Sequence, residues 1–178
     1  MPDPSSFFLA HLGSILDASR RGALVDLACG RGRHCLAAAE AGAHVIGVDR
    51  NGGFLEALRR TARGRHLPVE CVRADIERDP GLPFLPGSCA AILVFRFLYR
   101  PLAPEIETAL QPGGLLLYET FTRDQASLAG GPRNPAFLLE PGELSTLFPN
   151  LERLATWEGT TDGAHPTAVA RLAARKPA

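Results

Sequence analysis

The chain has no excess of charge. Nineteen Lys and Arg residues are matched by nineteen Asp and Glu residues, which leaves no broad basic surface for a nucleic acid. Long apolar runs are missing too. The longest, Cys89 to Phe95, falls far short of the roughly 20 residues that span a bilayer. The opening Met1-Pro2-Asp3-Pro4 is acidic and proline-rich where a secretion signal needs a basic start, so a cytoplasmic protein is expected. Cysteine is sparse. Cys29, Cys35, Cys71 and Cys89 form no C-x-x-C pair and have no histidine at zinc-ligand spacing beside them. No metal site is expected, and the thiols read as small apolar interior groups. Lysine is almost absent (Lys176 alone), which genome composition accounts for as well as function would. The remainder is ordinary, at 178 residues, 46% apolar and 21% charged. These values fit one globular domain over residues 1–178 and exclude a disordered tail, a fibre or a collagen-like array.

Phe8, Leu12, Ile15 and Leu16 recur at helical spacing behind Ser5 and Ser6, predicting an opening helix of about four turns. Strands are predicted at Ala23 to Ala28, His44 to Asp49, Val69 to Ile76, Cys89 to Phe95 and Leu115 to Thr122. Between them lie helices at Arg33 to Ala41, Phe54 to His66 and Pro104 to Leu110, the last stopped by Pro112-Gly113-Gly114. This alternation is the pattern of a parallel sheet covered on both faces. The rhythm then breaks. The stretch from Thr122 to Leu139 is longer than most connections and reads as functional or mobile. A short helix at Glu140 to Phe148 follows, with Pro141 in its first turn. Strands at Leu151 to Glu158 and Thr167 to Arg175 close the chain as a hairpin turning through Thr161-Asp162-Gly163. The fold class is therefore α/β: a doubly wound, mostly parallel sheet with an antiparallel C-terminal hairpin at its edge. There is no internal repeat and no linker.

In open parallel sheets ligands sit beyond the carboxyl ends of the strands. The first strand ends Asp26-Leu27-Ala28-Cys29-Gly30-Arg31-Gly32-Arg33-His34. Gly30 and Gly32 let backbone N–H groups approach a ligand just before a helix. A dinucleotide diphosphate is disfavoured by the carboxylate four residues before Gly30, and Cys35 stands at the third glycine position of G-x-G-x-x-G. Asp26 suits a ligand carrying an ammonium group. Asp49 ends the second strand 19 residues after Gly30, where a carboxylate can accept from both ribose hydroxyls. Asp75, near the end of the third strand, is placed for an adenine amino group. Each acid could merely cap a turn; three in register with one glycine loop point to a nucleoside.

The run D-L-A-C-G-R-G-R-H, with V-I-G-V-D and R-A-D-I after it, resembles the class I S-adenosylmethionine-dependent methyltransferases over nearly the whole chain. The resemblance implies a Rossmann-like sheet of seven strands and S-adenosyl-L-methionine as cofactor. By position it places Asp26, Ala28, Cys29, Gly30 and Gly32 at the methionine end, Asp49 at the ribose, and Asp75 with Ile76 at the adenine. The cofactor set also takes in Arg50, Phe95 and Arg96. Ala28 stands where the family often has glycine, and Arg33 at its third glycine position. Tyr118 to Thr122, Gln125, Gly131 to Pro135 and Leu138 to Leu144 resemble the small tellurite-resistance-type branch.

The fourth strand runs into Arg96-Phe97-Leu98-Tyr99, without the Asn/Asp-Pro-Pro-aromatic box of base-modifying enzymes and without an acid to receive an amine. Arg96 could orient a thiolate or oxyanion between Phe97 and Tyr99, or could pair with Asp75 or Glu119 instead. Glu119 is the only acid placed to act as a base, and Arg133 could close over the acceptor. The candidate catalytic set is thus Arg96, Tyr99, Glu119 and Arg133. The function expected is methyl transfer to a small soft or anionic acceptor, with no nucleic-acid or membrane partner. The alternatives are a non-catalytic cofactor-binding subunit and an NAD-binding oxidoreductase. Oligomeric state is left open.

Overall fold

The computed structural model describes residues 3–78, 81–162 and 165–178. Apolar side chains fall on both sides of each central strand, so helices cover the sheet on both faces. In chain order the elements are α1 (Ser6–Ala10), α2 (Leu12–Ser19), β1 (Ala23–Leu27), α3 (Arg33–Glu40), β2 (Val45–Asp49), α4 (Gly52–Gly64) and β3 (Val69–Arg73). There follow β4 (Cys89–Phe95), α5 (Ala103–Ala109), β5 (Leu110–Phe121), α6 (Glu143–Thr146), β6 (Glu152–Thr160) and β7 (Ala168–Arg175). The seven strands run β3-β2-β1-β4-β5-β7-β6. The first five are parallel; β7 enters antiparallel between β5 and β6, so β6 is the edge. Strand order reverses between β1 and β4, which sets the carboxyl ends of both beside the same crevice.

One face carries α1 to α4, packing Phe8, Ile15, Leu36 and Leu58 onto Leu24, Leu93 and Leu117. The other carries α5 and α6 through Leu102, Ile106 and Leu144 against Val25, Ile92 and Leu116. β4 is buried at every residue and has the predicted bounds. Cys35 and Cys89 are buried, and Cys29 and Cys71 half-buried, all as free thiols.

Several elements depart from the sequence expectation, each for a local reason. The opening helix breaks at His11, whose Nδ1 donates to the Phe7 carbonyl at 2.9 Å and closes α1 early. Ser5 caps α1, its hydroxyl accepting from the Phe7 amide. α4 begins at Gly52 because the Asn51 side chain accepts from the amides of Gly53 and Phe54. β5 passes through Pro112-Gly113-Gly114 by a shift in register against β4. A Cβ on Gly114 would stand 2.8 Å from the Gln111 carbonyl, so only glycine passes that point. α6 is shorter than predicted, since Gly142 takes φ +72 and only Glu143 onward is helical. The β6–β7 pairing is that of the expected hairpin; Gly163 of its predicted turn lies outside the described residues, as do Met1 and Pro2 of the acidic start.

Candidate cofactor and acceptor site

Two cavities adjoin at the carboxyl rim of the sheet. One of about 380 Å³ is lined by Asp49, Arg50, Asp75, Ile76, Phe97 and Phe137, among others. The other, of about 330 Å³, is lined by Asp26, Cys29, Gly30, Arg33, His34 and Phe95, among others. Ala28 and Arg96 border both, so the two form one bent trough.

The bend is built by the loop after β1. Cys29 donates its amide to the Val48 carbonyl at 2.9 Å, and Gly30 donates to Asp49 Oδ2 at 2.8 Å. Both bonds tie the loop to the end of β2. The second Asp49 oxygen accepts from the Asn51 amide at 2.8 Å. Gly32 caps α3 at φ +76, where a Cβ would meet Leu58 Cδ1 at 2.4 Å. Ala28 holds φ +52, the left-handed region that a Cβ makes costly. This is the position where the family resemblance expects glycine, and the backbone shows why. Arg96 sits at φ +58 and is strained in the same way.

Charge is divided unevenly along the trough. Asp26 is buried, and desolvation pushes its carboxyl up to about 7 although the Cys35 thiol donates to it at 3.2 Å. Arg33, half-buried, is shifted down by burial and by the Arg96 charge beside it. His34 is held down to about 3 by burial, then by Arg33 and Arg96. It is therefore neutral, and its Nε2 accepts from the Ser5 amide at 3.2 Å. Its ring packs on Phe95, with centroids 3.9 Å apart.

The candidate catalytic residues separate. Arg96 is exposed over the face of Phe121 and, among the described residues, forms no ion pair. Glu119 is buried, taking hydrogen bonds from Arg171 Nε at 2.7 Å and Ser5 Oγ at 2.9 Å. It fastens the N-terminal segment to β5. Tyr99 lies outside both cavity linings and packs against the core beneath β4. Arg133 is exposed and also outside the linings, while Pro132 and Phe137 of the same connection form a wall. Arg50 pairs with Glu77 at 2.7 Å, and Asp75 Oδ1 accepts from the Glu77 amide at 3.3 Å.

Sequence reasoning missed Arg31, Arg33, His34 and Phe54 in the smaller cavity and Thr120 in the larger. The available signal was their place: a helix whose first turn follows a ligand loop must present that turn to the ligand. It also missed Arg100. Arg100 Nη2 reaches Glu143 at 2.8 Å and the Leu138 carbonyl at 2.9 Å, and Nη1 reaches the Ala136 carbonyl at 3.1 Å.

A methyltransferase-domain family profile matches residues 24–114, which spans β1 to the start of β5. The chain belongs to that family. It is 32% identical over 120 residues to the tRNA U34 carboxymethyltransferase of Cellvibrio japonicus, covering 63% of this chain and 35% of that protein. The chain spans about a third of the length of the curated relatives it matches. Among solved structures, it resembles an S-adenosylmethionine-dependent methyltransferase of Methanosarcina mazei, with TM-score 0.75, 18% identity and 99% of each chain covered. It also resembles TehB of Haemophilus influenzae, with TM-score 0.71, 20% identity, and 92% of this chain and 62% of that one covered. The NAD-oxidoreductase alternative is set aside: the chain belongs to a methyltransferase-domain family, and the donor expected from its motifs is S-adenosylmethionine.

The residues present fit that donor. Each Asp49 oxygen accepts one backbone N–H and keeps a lone pair for a hydroxyl. A Cβ at Gly30 would meet nothing within 4 Å, so the loop leaves open space beside Asp26. Ile76, Phe97 and Leu98 offer apolar surface for a base.

Two outcomes follow for this domain. Ala28→Gly relieves the left-handed strain and should raise stability by about 1 kcal/mol, or about 2–4 °C in melting temperature. An unchanged or lower melting temperature would show that the Ala28 methyl is needed for packing. Asp26 binds its proton more tightly folded than unfolded, so its contribution to stability is lost as pH rises from the ordinary carboxylate range through about 7. Urea titrations should show stability falling over that interval in the wild type and a flatter profile in Asp26→Asn.

Proposed function

We propose that this methyltransferase, working as a single domain, acts on a small soft or anionic acceptor, a thiolate or an oxyanion. The supporting observation is the contrast between Arg96 and Glu119. The one acid that sequence placed as a base is occupied by Arg171 and Ser5, whereas Arg96 stands unpaired among the described residues where the cavities meet. An acceptor that is already anionic needs a cation to orient it and no base to deprotonate it. S-adenosylmethionine supplies a methyl group activated by its sulfonium charge. The chain's own residues then have to align and desolvate. Asp26 and the Ala28-Cys29-Gly30 turn take the methionine end, with Arg33 for its carboxylate. Asp49 takes the ribose, while Asp75, Ile76 and Arg50 border the adenine. Phe95 and His34 wall one side, and Arg96 holds the acceptor against Phe121 and Phe137. In this assignment Tyr99 supports the β4 turn, Glu119 positions the N-terminal segment, and Arg133 stands at the outer rim.

The tRNA named for one relative is a poor match for this chain, whose charges cancel.

Asp49→Ala removes two charge-assisted hydrogen bonds of about 1.5–3 kcal/mol each, so S-adenosylhomocysteine should bind at least about tenfold more weakly by calorimetry. Unchanged affinity would remove the ribose assignment. Arg96→Gln should lower kcat/KM for anionic acceptors by about ten- to a hundredfold. In the wild type the pH–rate inflection should follow the acceptor's own pKa across a series of thiols. An inflection fixed whatever the thiol would indicate a protein base and overturn the proposal.

A further inference from the structure

β6 ends the sheet, and among the described residues no strand pairs with its outer edge. Every residue from Glu152 to Thr160 is exposed except the half-buried Gly159. Leu154 is 46% exposed and Trp157 42%. A nine-residue edge open on both faces is a template for another strand.

We propose that a second copy of this chain pairs with that edge, β6 against β6 and antiparallel, about a twofold axis through Thr156. Such an axis is perpendicular to the sheet and keeps each face on its own side, so only residues on the same face can oppose one another. The pairing with β7 defines those faces. Trp157 lies opposite Arg171 and Ala155 opposite Ala173, on the side of α1 to α4. Arg153 lies opposite Ala174, Thr156 opposite Leu172 and Glu158 opposite Ala170, on the side of α5 and α6. The register slips between Arg153 and Ala155, leaving Leu154 as a bulge. Without that slip Arg153 and Glu158 would face opposite ways.

Centred on Thr156, the register sets Arg153 against Glu158 of the partner subunit and Ala155 against Trp157 of the partner subunit, each contact occurring twice. Centring on Ala155 would instead oppose Glu152 to an indole. Centring on Trp157 would oppose two indoles and leave Arg153 facing Thr160 of the partner subunit. Opposite charges therefore meet in the Thr156 register and in neither adjacent one, and cross-strand pairs of this kind stabilise a ladder. Trp157 and Glu158 are already held in place. The Arg171 guanidinium lies 4.7 Å from the Trp157 ring centroid, and Glu158 Oε2 accepts from the Gly142 amide at 3.0 Å.

Sedimentation of the full chain tests this directly. The expected result is a reversible species of twice 19.0 kDa. Trp157 is the only tryptophan, so its emission should move to the red on dilution with the same midpoint. Arg153→Glu and Glu158→Arg should each weaken the dimer by roughly tenfold or more, and the double exchange should restore it to within about threefold. Circular dichroism of each variant checks that the fold is kept. A 19.0 kDa particle at all concentrations from micromolar to hundreds of micromolar would overturn the proposal, as would a dimer indifferent to both charge reversals.

Discussion

The hydrogen bond from the Gly30 amide to Asp49 joins the loop of one strand to the end of its neighbour, and the cavity rim is arranged around it. The loop can offer that amide because Gly30 sits at φ +58, a conformation that costs an L-residue free energy. The same carboxylate takes the Asn51 amide, and Asn51 in turn caps α4. One side chain thus fixes the loop, the start of a helix and its own orientation toward the larger cavity. Ala28 and Gly32 bend the backbone on either side of it, one at a cost in strain and one because Leu58 leaves no space for a methyl.

Which charges are paired determines the chemistry available at this rim. Asp26 is desolvated, which pushes its carboxyl up to about 7, whereas Arg33 and Arg96 crowd the mouth of the same cavity. Glu119 takes both Ser5 and Arg171 on one oxygen, with Arg171 spanning the Phe7 and Trp157 rings as it reaches the carboxylate. The N-terminal segment consequently backs the site: Ser5 touches both Glu119 and His34, and Phe8 packs on His34 and Phe95. The donor and the anionic acceptor proposed for this trough call for opposite charges, and Asp26 and Arg96 line one cavity.

Much of this was legible in the residues. β4 was recognisable as an uninterrupted apolar run; Asp49 stood out as a polar residue ending its strand, and Asp26 as a carboxylate set into an apolar strand just before a glycine loop. The glycine loop was visible by spacing. Features that depend on a long-range partner could not be read. The break at His11 depends on a ring reaching a carbonyl four residues back, and the passage of β5 through Pro112 to Gly114 depends on β4 and Lys176 alongside. Glu119 looked available because its partner, Arg171, is 52 residues away on a strand that slots in next to β5. Arg33 was read for the glycine it replaces, while its neighbourhood with Arg96 emerges only when β1 and β4 lie side by side.

The connection from β5 to α6 is fastened at both ends. Gln125, fully buried, bridges the Ala168 amide and the Gly130 carbonyl, and Arg100 bolts residues 136 to 143 to the turn after β4. A doorway hung on two such fixings has its posts set: the wall that Pro132 and Phe137 give the larger cavity is moored to β7 on one side and to the turn after β4 on the other.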